Sequence, residues 1–191
     1  MTVIILAGGK SERMGRRDKA FLKIGRDSIV ARQLRLIKKH FTKIIIVTNS
    51  MAKYKGLKGV RVIPDIIPDR GSLGGILSGL LASEDRYNFV IACDMPFINT
   101  RLMKYMYENS AGYDVVVPKV DGRYEPLFSL YSKDCVRYIE PLIEKKRFKI
   151  SGFFSRIKVK SISRKEVERF GEPDVIFMNV NTPDDLLKIN G

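Results

Sequence analysis

The stretch from Leu6 to Lys19, LAGGKSERMGRRDK, places glycines and basic side chains directly after a short apolar run. Gly8 and Gly9 have no Cβ that would keep a ligand away from the backbone. Successive N–H groups in such a loop can converge on an anion. Arg13 adds a bidentate guanidinium and Lys19 a mobile ammonium group. These residue types in this order indicate a site for phosphate groups.

Two common phosphate motifs do not account for this loop. Gly9-Lys10-Ser11 is similar to the end of a P-loop, but the first glycine of that motif would fall at Ile4, inside a predicted strand. The dinucleotide pattern G-x-G-x-x-G is also absent from the stretch. A glycine-rich turn with solvated charges is the structural alternative at this point.

A second candidate for chemistry is Asp94, which follows the apolar run 88–92. Open α/β sheets bind their ligands at the carboxyl ends of parallel strands, so this carboxylate is expected at a ligand crevice. His40 is the single histidine, and Cys93 and Cys135 form no C-x-x-C pair. A bound metal would therefore take oxygen ligands, which favours Mg²⁺. In the alternative, Asp94 only caps the following turn.

The chain alternates apolar strand patterns with amphipathic helices. This alternation predicts a single-domain, Rossmann-like, three-layer α/β/α fold over residues 1–191, with a mostly parallel mixed sheet. The predicted strands are 3–6, 43–48, 61–63, 88–92, 115–118, 127–131 and 157–162, with a short extended piece at 21–24. The predicted helices are 28–40, 71–81, 100–108, 134–144 and 164–170.

The predicted helix 71–81 contains glycines at 74, 75 and 79, although glycine lowers helix stability. A close backbone approach would explain these glycines, either to a ligand or to the sheet. Both interpretations stay open from the sequence.

Composition restricts the class of protein and of partner. Of the 191 residues 45% are hydrophobic and 29% charged, and the net charge of +14 favours anionic partners. The chain has neither an apolar run of membrane-spanning length nor a signal-peptide pattern, so the cytoplasm is the expected location. The basic residues are spread along the chain without a nucleic-acid-binding signature. A non-enzymatic nucleic-acid binder remains an alternative, which a steep salt dependence of DNA or RNA affinity would reveal.

Four segments, taken in order, resemble the MobA-like nucleotidyltransferases, and within them the molybdenum cofactor guanylyltransferases (the MobA family). They are the opening loop L-A-G-G-x-S-x-R-M-G-x-x-x-K, D-M-P-F at 94–97, the segment around Glu125, and N-V-N-T-P-D-D at 179–185. The segment 71–75 is similar to the family's G-P-L-A-G, with Ser72 in place of proline and Gly74 in place of alanine.

The resemblance implies a nucleotide-diphospho-sugar transferase-like fold and transfer of GMP from GTP to molybdopterin, with release of pyrophosphate. It implies Mg²⁺ as cofactor, and as partners GTP, molybdopterin or Mo-molybdopterin, and other proteins of molybdenum cofactor biosynthesis. No specific nucleic acid and no membrane are expected. A sister enzyme that uses CTP or another phosphorylated acceptor remains the alternative.

The resemblance also assigns roles to residues. The amides of Leu6, Ala7, Gly8 and Gly9 and the side chains of Arg13 and Lys19 would bind the triphosphate, and Asp94 would hold Mg²⁺. The other expected site residues are Asn49 and Asp65 on the guanosine, Glu125 on the substrate side, and Asn181 near the metal or the substrate phosphate. Asn179 is a further expected binding residue.

Overall fold

The computed structural model describes residues 1–8, 19–67, 69–180 and 185. Within these residues the strands are β1 (Thr2–Leu6), β2 (Lys23–Ile24), β3 (Asp27–Ser28), β4 (Ile44–Val47), β5 (Arg61–Ile63), β6 (Tyr87–Ala92), β7 (Val115–Val120), β8 (Arg123–Tyr124), β9 (Phe128–Ser132) and β10 (Val159–Ser163). The helices are α1 (Ile29–Ile37), α2 (Gly71–Ala82), α3 (Thr100–Glu108), α4 (Val136–Glu144), α5 (Arg164–Glu168) and α6 (Pro173–Ile176).

The main sheet of the described chain is mixed and has the order β10-β7-β9-β6-β1-β4-β5, with β8 added to β7. Strands β2 and β3 form a separate two-stranded antiparallel sheet. Strand β1 lies parallel between β4 and β6, and Leu6 is level with Val47 on one side and Ala92 on the other. Strand β9 runs antiparallel to both β6 and β7. The start of β9 therefore lies at the edge where the parallel strands end.

The helices cover both faces of the sheet. Strand residues Val3 and Ile5 pack with helices α1, α3 and α5, whereas Ile4 and Leu6 pack with α2 and α4. This division follows from the alternation of side chains along a strand, because successive residues point to opposite faces. The predicted three-layer α/β/α fold with a mostly parallel sheet is confirmed.

Local sequence signals set most element boundaries. Asn99 caps α3 by accepting hydrogen bonds from the N–H groups of Arg101 and Leu102 at 3.0 Å each. Ser28 caps α1 by accepting from the Ala31 N–H. Helix α1 ends at Ile37, three residues before the predicted end, since the exposed residues 38–40 offer no apolar face to bury. Helix α5 likewise ends at Glu168, two residues early.

The glycines of α2 allow close packing against the sheet. A Cβ on Gly79 would lie 2.6 Å from Ile4 Cγ2, and one on Gly75 would lie 3.3 Å from Leu6 Cδ2. A Cβ on Gly74 would lie 2.9 Å from the Ile67 carbonyl oxygen in the preceding loop. The contacts at Gly75 and Gly79 are with strand β1, as expected if these glycines allow the helix to pack closely on the sheet. No helix in the described ranges is long and apolar enough to cross a membrane.

Candidate active site

The candidate site lies where the strand order reverses. From β1 the chain proceeds to β4 and β5 on one side, and then returns to place β6 on the other side of β1. The carboxyl ends of β1 and β6 therefore face a crevice at the topological switch point, where open α/β sheets bind ligands. Gly8 follows β1 and Asp94 follows β6 at this position.

Lys19 and Asp94 meet at this crevice. The Lys19 Nζ lies 3.3 Å from Asp94 Oδ2, and the two side chains are 22% and 18% exposed. Lys19 begins a 3₁₀ turn, Lys19–Phe21, which is anchored by the fully buried Ala20. The pair joins positions 75 residues apart in sequence and leaves both charges partly accessible to a ligand.

The backbone around Asp94 is tied to two other parts of the chain. The Cys93 N–H donates to the Leu6 carbonyl at 3.0 Å, which continues the β1–β6 pairing past the end of β6. The Val180 N–H donates to the Asp94 carbonyl at 2.9 Å. Asn179 is thereby brought next to Asp94, with an exposed side chain whose Nδ2 donates to the Phe177 carbonyl at 3.1 Å.

The first residues of the predicted phosphate loop lie beside Asp94. The Ala7 N–H donates to the Val47 carbonyl at 2.9 Å, so this amide is used by the sheet. Gly8 is exposed, and a Cβ built on it would meet no atom of the described residues within 4 Å. Gly9, Arg13 and Asn181, which the sequence also predicts at the site, lie outside the described residues.

Asn49 and Asp65 form a second group on the β4–β5 side. Asn49 Oδ1 accepts from the Asp65 N–H at 3.2 Å and joins the ends of these two strands. Asp65 Oδ1 accepts from the Ile67 N–H at 3.1 Å and lies 2.8 Å from the Ser78 hydroxyl. Sequence reasoning missed Ser78, whose signal is a polar residue within the apolar stretch of α2.

Glu125 lies on the opposite side of Asp94, just before β9. Its backbone N–H donates to the Pro118 carbonyl at 3.0 Å, and its carbonyl accepts from the Ser129 hydroxyl at 2.6 Å. The half-buried carboxyl group has no hydrogen bond or ion pair with another described residue. Burial raises the pKa of this carboxyl group above its usual value. A partly desolvated carboxylate with a well-held backbone is suited to contact a ligand.

The strand order gives the width of this site. At about 4.8 Å per strand, Asp94 after β6 lies laterally about 10 Å from the end of β4 and about 14 Å from the end of β5. Those are the ends occupied by Asn49 and Asp65. A mononucleotide can bridge such a span with its base at one end and its phosphates at the other.

Asp94 is the carboxylate at the crevice that could bind a divalent metal ion. No group of three His, Cys, Asp or Glu residues in the described ranges could enclose a metal ion. Asp94 by itself fits an ion such as Mg²⁺, which commonly binds one or two carboxylates and takes its remaining ligands from water and nucleotide phosphates. A thiolate is not offered by Cys135, since burial raises the pKa of its thiol to about 12.

The fold, the open glycine after β1 and the aspartate after β6 define a nucleotide-binding α/β protein. The profile of the MobA-like NTP transferase domain family matches residues 3–157. The chain belongs to this family, as the opening loop and the D-M-P-F segment predicted.

Curated relatives match nearly the whole chain. A "Probable molybdenum cofactor guanylyltransferase" from Pelotomaculum thermopropionicum is 40% identical over 188 residues, covering 98% of this chain and 90% of that protein. A molybdenum cofactor guanylyltransferase from Desulfosudis oleivorans is 35% identical over 190 residues, covering 98% and 93%. The predicted family resemblance is confirmed.

Solved structures support the same fold. Molybdopterin-guanine dinucleotide biosynthesis protein A from Archaeoglobus fulgidus superposes with a TM-score of 0.85 at 26% identity, covering 100% of this chain and 97% of that chain. A 2-C-methyl-D-erythritol 4-phosphate cytidylyltransferase from Thermus thermophilus gives a TM-score of 0.72 at 16% identity, covering 99% and 95%. At that identity the second likeness shows the fold alone.

Proposed function

We propose that this protein transfers GMP from GTP to the terminal phosphate of molybdopterin, releasing pyrophosphate and forming the guanine dinucleotide form of the cofactor. The observation that carries the proposal is the arrangement along one sheet edge. Lys19 and Asp94 lie between the Asn49–Asp65 pair on one side and Glu125 on the other. The family membership and the named relatives support this choice of reaction.

The proposed reaction needs no nucleophile from the protein. An oxygen of the acceptor phosphate attacks the α-phosphorus of GTP, a new P–O bond forms, and the bond to the β-phosphate oxygen breaks to release pyrophosphate. The barrier lies in bringing two polyanions together in line, so positioning and charge neutralisation supply the catalysis.

Lys19 and Asp94 change partners in this proposal. Without nucleotide the ammonium and the carboxylate neutralise each other at 3.3 Å. When the triphosphate binds, Lys19 turns to the phosphate oxygens, and Asp94 would hold the accompanying Mg²⁺. The bound ion would supply electrostatic stabilisation of the charge that develops on the phosphates. Gly8 and, outside the described residues, Gly9 and Arg13 complete the proposed phosphate site.

The other site residues are proposed to contact the guanosine of GTP and the acceptor molecule. Asn49 and Asp65 are proposed to contact the guanosine, where Asp65 Oδ2 faces no hydrogen-bond partner within the described part of the chain. Glu125, Asn179 and Asn181 are proposed on the acceptor side of Asp94. Two apolar cores that share one sheet support a single domain, and two buried cysteines that form no disulfide agree with the reducing cytoplasm.

The test is a titration of the purified protein with GTP, CTP and ATP, each with Mg²⁺, followed by product analysis with molybdopterin. We expect GTP to bind most tightly, to require Mg²⁺, and to yield the dinucleotide and pyrophosphate. Equal or tighter binding of CTP with formation of a cytidine product would contradict the guanylyl assignment and indicate the sister activity.

A further inference from the structure

Helix α1 carries one polar residue on its buried face. The buried positions of this helix are Ile29, Val30, Gln33, Leu34 and Ile37. Gln33 is the only glutamine in the chain and is 0% exposed. Burying an amide costs free energy of folding unless its polar atoms form hydrogen bonds.

The Gln33 amide holds both ends of the turn that carries Asp94. Its Nε2 donates to the Ala92 carbonyl at 2.8 Å and to the Met95 carbonyl at 2.9 Å. The Met95 N–H lies 3.4 Å from the same Ala92 carbonyl and closes a four-residue turn, with Cys93 and Asp94 at its centre. The two N–H groups of a single side chain therefore span the turn from its first residue to its last.

We infer that Gln33 is a positioning residue for Asp94. It fixes the turn from the side of α1, while the Cys93 N–H to Leu6 bond holds it from the sheet and the Val180 N–H bond holds it from the carboxyl-terminal segment. Arg32 adds a second bond between α1 and this part of the chain, since its Nε donates to the carbonyl of Pro96, directly after the turn, at 3.1 Å. The Asp94 carboxylate thereby keeps a defined place opposite Lys19. The inference rests on the proposed function, in which this carboxylate holds Mg²⁺ with the nucleotide.

Strand β6 offers a matched control at its other end. Asn88 is also 0% exposed, and its Nδ2 donates to the Asp85 carbonyl at 3.0 Å. In both Asn88 and Gln33 the amide oxygen has no hydrogen-bond partner within the described residues. The two amides therefore share burial and hydrogen bonding to backbone, but only Gln33 contacts the turn at the site.

The experiment compares Gln33→Met and Asn88→Leu with the wild-type protein. Both substitutions replace the amide with an apolar side chain of similar size and remove the N–H donors, so both are expected to lower Tm. Only Gln33→Met is expected to raise the Mg²⁺ concentration for half-maximal GMP transfer, by roughly tenfold or more, as for other residues that orient a metal ligand. Calorimetric titration of GTP at several Mg²⁺ concentrations should show the same shift without relying on turnover.

A wild-type magnesium dependence in Gln33→Met, or an equal shift in Asn88→Leu, would overturn the positioning role. If Gln33→Met does not fold, Gln33→Asn replaces it. This variant keeps the donors but shortens the side chain by one methylene, so it cannot reach both carbonyls and should also raise the Mg²⁺ requirement. An unchanged requirement there overturns the inference as well. A wild-type protein that neither binds nor transfers GTP contradicts the proposed function itself, which separates the two failures.

Discussion

At the scale of single residues, the Lys19–Asp94 ion pair is the centre of the proposed reaction site. Each charge is mostly removed from water but keeps about a fifth of its side-chain surface accessible. A partly buried pair held this way avoids the cost of an isolated charge, yet it can open toward a ligand that offers the same charges. In the proposed function, the triphosphate and its cation offer those charges.

The substitution Asp94→Asn tests whether the charge of Asp94 is needed to hold Mg²⁺ with the triphosphate. The amide keeps the size and one carbonyl oxygen but removes the negative charge, so GMP transfer should fall by roughly 10²–10³-fold. High Mg²⁺ concentration should restore part of the rate, because it raises the occupancy of the weakened metal site by mass action. Transfer rates measured across a magnesium titration check both statements.

The control for this substitution is Asp85→Asn. Asp85 is also an ion-paired aspartate, 2.9 Å from Lys43 Nζ, but it lies before β6 at the opposite edge of the sheet. Its substitution should leave transfer near the wild-type rate at neutral pH. A wild-type rate for Asp94→Asn at low magnesium would remove Asp94 from the mechanism.

At the scale of elements, the glycines of helix α2 show how a pattern that is typical of ligand binding can also arise from helix–sheet packing. Its glycines at 75 and 79 face Leu6 and Ile4 of the central strand, so the helix axis approaches the sheet closely. That approach also brings Ser78 within 2.8 Å of Asp65 and fixes the loop after β5. Helix α2 therefore links the packing of the core to the shape of the proposed guanosine end of the site.

Gly79→Ala should destabilise the fold without changing GTP affinity in the protein that remains folded. The added methyl would lie 2.6 Å from Ile4, and overpacking of this kind costs about 1–3 kcal/mol. For a chain of this length that corresponds to a decrease in Tm of roughly 3–10 °C. Thermal unfolding measures the decrease, with Gly56→Ala as control because a Cβ there meets no atom of the described residues within 4 Å. Unchanged Tm with weakened GTP binding would instead favour a nucleotide contact at Gly79.

At the scale of the whole molecule, the amino edge of the sheet is held by electrostatics that depend on pH. Asp85 Oδ1 lies 2.9 Å from Lys43 Nζ, and Asp85 Oδ2 accepts from the Thr2 hydroxyl at 2.8 Å. The hydrogen bond from Lys43, together with that from Thr2, lowers the pKa of the Asp85 carboxyl group to about 2. Because these contacts are lost when the chain unfolds, the lowered pKa of Asp85 contributes to the stability of the fold.

The expected result is a stability difference between wild type and Asp85→Asn that depends on pH. A carboxyl whose pKa is lowered in the folded state stabilises the fold above its unfolded pKa, and this contribution disappears as pH falls through the folded value. The contribution is about 1–2 kcal/mol near neutral pH after allowance for solvent screening. Urea unfolding between pH 6 and pH 2 should therefore show the difference shrinking below about pH 4. A stability difference that stays constant from pH 6 to pH 2 would contradict the lowered pKa of Asp85.

The sequence by itself determined the features that depend on near neighbours. The apolar run at 44–47 specifies a buried strand, and Asn99 specifies the start of α3 because its side chain reaches N–H groups two and three residues ahead. The position of Asp94 at the end of a buried strand followed from the same local pattern, as did the family resemblance.

Only the tertiary structure decided which distant groups meet. The pairing of Lys19 with Asp94 spans 75 residues, and the contact of Gln33 with the carbonyl of Met95 spans 62. The antiparallel insertion of β9, which brings Glu125 to the same edge as Asp94, is likewise a choice of sheet order. Such contacts depend on how helices dock on the sheet. Docking is set by the summed packing of many side chains, so no local pattern contains it.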